Sequence, residues 1–225
     1  CYQNLDAIVY QSNDMRKDFE EIFSISISKG ILIHNPITLS PLPISKYDLR
    51  INDKPFKFII VGSLIEIKGH LRAFELFKKF KFNFVLEIIG EGPLERTLRD
   101  KVDLLGMNNQ IFFKGLRKDM KKVYASADFL VQASYVEGFP NAVLEALSFG
   151  IPCIVFDAPG GHKEMILEGI NGVTIFNESK TIDLVKKLTQ YNWNRVEIQK
   201  NVLKRFGAKK IIVQYHEFFQ QITQK

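Results

Sequence analysis

Six short runs in this chain are apolar at nearly every position: KFIIVG (57–62), FVLEIIG (84–90), QIFFKG (110–115), DFLVQAS (128–134), IPCIVF (151–156) and NGVTIF (171–176). Successive side chains of a strand point to opposite faces, so a run without polar alternation needs apolar cover on both sides. Between the runs the apolar residues change period. Leu94, Leu98, Val102 and Leu105 recur at helical spacing, as do Leu71, Phe74, Phe77 and Phe80. Buried strands joined by helical crossovers mean a parallel sheet, because parallel neighbours cannot be linked by a tight turn. The expected architecture is a doubly wound, Rossmann-like α/β fold closed by a C-terminal helical segment. In such a sheet, ligands bind beyond the carboxyl ends of the strands, so chemistry is sought in the loops that follow each run.

The 225 residues suffice for one large α/β domain or for one domain and part of another, and are too few for two complete Rossmann-type domains. With 46% hydrophobic and 25% charged residues, the composition excludes intrinsic disorder, collagen and a disulfide scaffold. No apolar run reaches the about 18 residues that a membrane span needs, and CYQNLDAIVY lacks the features of a signal peptide. The expectation is a cytoplasmic protein. Cys1 and Cys153 allow one bridge at most, and Cys153, inside IPCIVF, reads as a buried free thiol. The net charge of +6 is uneven: residues 195–225 hold seven Lys or Arg against two Glu. That tail suits a solvated helix face, or docking onto an acidic neighbour or the anionic inner face of a membrane, better than a nucleic-acid surface.

A segment with four prolines, Pro36 to Pro55, breaks all periodicity and marks a domain boundary. Before it, LDAIVYQS reads as a strand, NDMRKDFEEIF as a helix with Asn13 as N-cap, and GILIHNP as a second strand. The chain therefore divides into a βαβ piece at 1–36, a linker at 37–55, a Rossmann-like domain at 56–194 and a helical segment at 195–225.

Two loops carry most of the chemistry. GSLIEIKGH, from Gly62 through Ser63 to His70, joins a strand to a helix but fits neither GxGxxG nor a P-loop; it offers Lys68 near a helix start, where an ammonium and free N–H groups jointly suit a diphosphate. In YVEGFPNAVLEALSFGIPCIVF the chain turns at Gly138 and enters a helix behind Pro140, leaving the N–H groups of Asn141 and Ala142 for an anion. Glu137 and Glu145 flank this turn, and carboxylates suit vicinal sugar hydroxyls. Their spacing alone proves little, since Glu87 and Glu95 share it. In DAPGGHKEM, Gly160 and Gly161 let backbone approach a ligand, Glu164 either caps the next helix or contacts that ligand, and His162 is an ordinary loop histidine. His34, His70 and His216 make no metal spacing with each other or with cysteine.

GSLIEIKGH, IIGEGP, FFKGLRKDM, YASADFLVQAS, EGFPNAVLEALSFGIP and GGHKEMILEGINGV, in this order, closely resemble the nucleotide-binding C-terminal domain of retaining glycosyltransferase family 4, which has the GT-B fold. The resemblance implies a nucleotide-sugar donor, with Glu137 on the sugar hydroxyls, Glu145 on the ribose and Lys68 on the diphosphate. The loop at Gly62 and the backbone of Gly138, Phe139, Asn141 and Ala142 would complete the pocket. Where the family commonly has a second cation, this chain has Ser63. Leu116 and Arg117 fall where such proteins often frame the base, and are equally compatible with a plain loop. No DxD-type acid pair is present, so neither metal nor other cofactor is expected. The resemblance also makes 1–36 the last βαβ piece of an N-terminal acceptor domain otherwise absent here, and the C-terminal helix the one that returns to it. The function implied is sugar transfer with retention to an unknown acceptor, a glycan or a lipid-linked sugar. A sugar-nucleotide epimerase of the same fold and a non-catalytic nucleotide- or polyanion-binding module are the alternatives.

Overall fold

In the computed structural model, which describes residues 2–23, 29–44, 54–176, 188 and 193–224, all six apolar runs become strands of one parallel sheet. They are β3 (Phe56–Val61), β4 (Phe84–Ile89), β5 (Ile111–Gly115), β6 (Phe129–Gln132), β7 (Cys153–Phe156) and β8 (Gly172–Ile175). Their spatial order is β5-β4-β3-β6-β7-β8, so the winding reverses between β3 and β6. β3 pairs with β4 over six residues, Phe56↔Phe84 to Val61↔Ile89, but with β6 only at Phe58↔Phe129 and Ile59↔Leu130. The sheet thus opens at the carboxyl end of its central pair, the point where doubly wound folds bind ligands.

Each central strand feeds two cores by alternation. Phe58 and Ile60, Val131 and Ile154 face α2 (His70–Phe77) and α3 (Glu95–Leu104); Ile59, Leu130, Cys153 and Val155 face α5 (Asn141–Ser148) and α7 (Arg195–Phe206). Phe58, 1% exposed, holds the first core together, with ring centroids 5.1 Å from Phe77, 5.6 Å from Phe80 and 5.2 Å from Phe129. Cys153 is a buried free thiol, its pKa pushed far up by burial; Cys1 lies outside the described residues. The helical spacing through Leu71 and Phe80 overstates α2: the helix ends at Phe77, Leu71 is exposed, and Phe80 reaches the core from the turn beyond.

The remaining strands, β1 (Ile8–Tyr10) and β2 (Gly30–Leu32), pair in parallel as a separate two-stranded sheet around α1 (Asn13–Phe23). The cap of α1 is Ser12, whose Oγ accepts the Met15 N–H at 3.1 Å; Asn13 is already helical. The described linker residues lead from this unit to Ile37, whose N–H donates to Phe206 O at 2.9 Å. The C-terminal segment is two helices, α7 and α8 (Ala208–Thr223), separated by extended Gly207. α7 packs on α5 through Ile198, Val202 and Phe206. On α8 Ile211 is buried, whereas Ile212 and Phe219 are exposed. No described helix is long and apolar enough to cross a membrane.

Phe58→Ala is expected to cost about 3–5 kcal/mol of unfolding free energy, since its neighbours cannot close the cavity. Leu71→Ala, at an exposed helical site, should stay within about 0.5 kcal/mol of the parent. Urea unfolding of both variants checks the contrast.

Candidate functional site

The loop after β3 is built to deliver one ammonium group. Gly62 N–H bonds Ile89 O and Leu64 N–H bonds Glu91 O, tying the loop to the end of β4, and a 3-10 turn, Glu66–Lys68, then reverses the chain. Gly69 closes that turn at φ 65°; a Cβ there would fall 1.9 Å from Ala133 O, so both backbone sign and contact demand glycine. Tyr135 N–H donates to Ile67 O at 2.8 Å, stitching the turn to the segment after β6. Lys68 is thereby aimed across the opening between β3 and β6.

There its Nζ lies 2.6 Å from Glu137 Oε1. The same oxygen accepts Gln132 Nε2 at 2.6 Å and Ser134 Oγ at 2.7 Å. The Glu137 side chain is 12% exposed, which makes this a partly desolvated, charge-assisted cluster that fixes the carboxylate's orientation. One oxygen carries all three bonds, so Oε2 is available to a ligand hydroxyl. Gln132 and Ser134 are partners that the sequence reading missed; their two-residue spacing at a strand's carboxyl end was the available signal. The backbone of Glu137 is gripped by the next loop: its N–H donates to Pro159 O at 3.0 Å, and Gly161 N–H donates to Gly138 O at 2.8 Å.

The chain then enters α5 behind Pro140, whose carbonyl takes the N–H groups of Val143 and Leu144. The N–H groups of Asn141 and Ala142 precede these bonds and lie at the positive end of the helix dipole. The Phe139 side chain is buried, stacked on His34 at 4.9 Å and edge-on to Phe206, so Phe139 offers the site only its backbone. One turn into α5, Glu145 Oε2 accepts the hydroxyl of Tyr124 at 2.7 Å. Tyr124 is fully buried, and burial first, then the Glu145 charge, keeps that hydroxyl protonated far beyond its ordinary range. It is a fixed donor that orients Glu145, and it too went unassigned in the sequence reading.

Ser63, Leu116 and Arg117 are exposed at the same edge of the sheet, with Leu116 N–H 3.4 Å from Glu91 Oε1. Opposite Lys68 and Glu137 stands α1 of the small unit. Met15 and Phe19 of α1 and Ile65, Ile67 and Val136 of the large unit line a cleft of about 470 Å³ together with Lys68 and Glu137. Glu164 anchors the units to each other: Oε1 accepts the Asn13 N–H at 2.7 Å, Oε2 lies 3.4 Å from His34 Nε2, and its carbonyl accepts Arg205. Asn35 Nδ2 donates to Asn141 Oδ1 at 2.9 Å in a further cross-link. His162 and His70 are both 2% exposed, His162 Nε2 and both His70 ring nitrogens have no hydrogen-bond partner among the described residues, and burial lowers both pKa values, that of His70 to about 4. Both are neutral near pH 7.

Residues 43–210 match the family described as glycosyl transferases group 1. Among curated proteins, an uncharacterized glycosyltransferase of Methanocaldococcus jannaschii is 29% identical over 179 residues, covering 76% of this chain and 44% of that protein. Lipopolysaccharide 1,6-galactosyltransferase of Salmonella typhimurium is 28% identical over 190 residues, covering 80% and 50% respectively. The chain therefore spans half or less of the length of these two relatives. Of solved structures, the Anabaena protein HepE in complex with UDP superposes with a TM-score of 0.82 at 19% identity, over 96% of this chain and 64% of that one.

His70 makes stability pH-dependent. The unfolded chain binds a proton at its ordinary pKa while the folded chain resists it down to about 4, so stability falls as pH drops through that window. The loss should reach about 3 kcal/mol by pH 4, with His162 adding in the same direction. His70→Gln should flatten the slope between pH 6.5 and 4 in urea melts; an unchanged slope would refute the assignment.

Proposed function

The chain belongs to the glycosyl transferases group 1 family, and on that premise we propose that it is the donor-binding portion of a retaining glycosyltransferase that uses a nucleotide-diphosphate sugar. Its fold is the C-terminal half of a GT-B enzyme. The observation that carries the reading is the pairing of Lys68 with Glu137 at the opening of the sheet. A diphosphate entering there draws Lys68 toward its own charge, while the hydrogen bonds from Gln132 and Ser134 orient the Glu137 carboxylate toward the hydroxyls of the sugar. As the bond from the anomeric carbon to the phosphate oxygen breaks, charge grows on the leaving diphosphate. Lys68 and the N–H groups at the start of α5 stand fixed to stabilise it, and prealigned dipoles need no reorganisation at that moment. No metal is required for that task. Glu145, held by Tyr124, presents its other oxygen to ribose hydroxyls.

Ser63 leaves one fixed side-chain cation on the diphosphate, so donor affinity rests more heavily on Lys68. The acceptor, a glycan or a lipid-linked sugar, belongs to the other half of the enzyme, working at the cytoplasmic face of a membrane. Binding survives without that half. Transfer does not, because holding two substrates in line contributes on the order of 7 kcal/mol or more to lowering the barrier.

Lys68→Ala and Glu145→Ala should each weaken nucleoside-diphosphate binding by about 1.5–3 kcal/mol in calorimetry. Unchanged affinity in both folded variants would remove the site from this loop pair. Ser63→Arg should tighten diphosphate binding at low salt, with a gain that shrinks as salt screens it. Incubated with donor and acceptor, the 225-residue chain should bind the donor and transfer nothing; transfer at the rate of the two-domain enzyme would overturn the division of labour proposed here.

A further inference from the structure

The donor-sugar carboxylate is not held by its own domain alone. Asp14, in the first turn of α1, crosses the cleft and accepts the Gly160 N–H on Oδ2 at 2.9 Å. The same oxygen lies 3.5 Å from Lys163 Nζ, which in turn is 3.7 Å from Asp157 Oδ1. Gly160 rests directly on Glu137. Its φ is 134°, and a Cβ on it would fall 2.1 Å from the Glu137 carbonyl oxygen. With Glu137 N–H on Pro159 O and Gly161 N–H on Gly138 O, residues 159–161 grip Glu137 and Gly138 from both sides. A shift of the Gly160 peptide is therefore transmitted to Glu137, and the hydrogen bond that fixes this peptide comes from the other unit.

We propose that Asp14 is a positioning residue for the sugar-binding carboxylate, coupling the placement of α1 to the orientation of Glu137 and so to recognition of the donor's sugar hydroxyls. The assignment rests on the donor-site reading above. It separates the pocket into two halves with different supports. The nucleotide half has its supports within the large unit, the loop after β3 that presents Lys68 and the Tyr124 hydroxyl on Glu145, and once a donor is bound the Lys68 ammonium turns from Glu137 to the diphosphate. The sugar half depends on the small unit through Asp14. Protonation follows the same geometry: the Gly160 N–H, more than any other group, holds the Asp14 carboxyl below its ordinary range, so near neutral pH it is a full anionic acceptor.

The alternative role for an acid in the first turn of a helix is stabilisation of α1 against its dipole, which would not distinguish one ligand from another. Calorimetry with UDP and with UDP-glucose as probes therefore decides. In the parent chain UDP-glucose should bind more tightly than UDP by the contribution of the Glu137 contact. Asp14→Ala should leave UDP affinity within about twofold and abolish most of the UDP-glucose advantage. Asp14→Asn should retain part of it, since its amide oxygen still accepts the Gly160 N–H but no longer attracts Lys163 as an ion. Glu21→Ala, an exposed acid of the same helix, should change neither ligand. Equal loss of both ligands in Asp14→Ala, or an intact UDP-glucose advantage, would overturn the assignment while the donor site stands. A parent chain that binds UDP but gains nothing from glucose would overturn it at Glu137. A parent chain that binds neither would overturn the donor reading and this assignment with it.

Discussion

The requirement that a parallel sheet be covered on both faces governs the whole molecule. The central strands of the large sheet are apolar on both sides, and two helical layers answer them, one built on Phe74, Phe77 and Leu98, the other on Leu144, Leu147 and Val202. Because both faces are occupied, function is left the strand ends. Because β3 and β6 separate after two paired residues, one of those ends is open. The site follows from the cover: where helices close both faces, a ligand-binding set of polar side chains is placed at the strand ends, where it need not be buried as uncompensated charge.

Within that opening, polar groups are arranged in supported pairs. Glu137 is oriented by Gln132 and Ser134, and Glu145 by Tyr124. In each case one carboxylate oxygen is bound by protein and the other left over. Such anchoring lowers the entropy that a ligand must overcome to order the side chain, and a rigid carboxylate discriminates hydroxyl positions more sharply than a mobile one. The glycines act in the same way. Gly69 and Gly160 stand where another backbone passes within contact distance, so they are conditions for the approach of the loops, and flexibility is not their purpose.

The small unit meets the large one through polar contacts gathered around the same loops: Asp14 with Gly160, Asn13 and His34 with Glu164, Asn35 with Asn141. Phe139 and Phe206, packed on His34, add an aromatic anchor. A polar junction of this kind orients without welding.

Much of this was readable from the sequence, for a physical reason: burial on both faces imprints itself on consecutive residues, so the six strands and the parallel sheet could be read from local pattern, while their spatial order came from the structure. Local pattern also places Lys68 and Glu137 in loops beyond strand ends and Glu145 near the start of α5, since each sits beside its own turn or helix start. Local pattern failed where an end is set by packing. Leu71 continues a helical spacing that the structure leaves in solvent, Ser12 in place of Asn13 caps α1, and Ile211 turns inward while Ile212 does not. It failed completely for contacts between residues far apart in the chain. Nothing in the residues around Tyr124 marks it as the donor to Glu145, and nothing near Asp14 announces Gly160, 146 positions away. The sequence by itself determined the sheet, its two-sided cover and the loops that carry the site. Only the tertiary structure decided how the carboxylates are held, because a hydrogen bond across the fold depends on where two distant backbones come to rest, and that is fixed by the packing of everything between them.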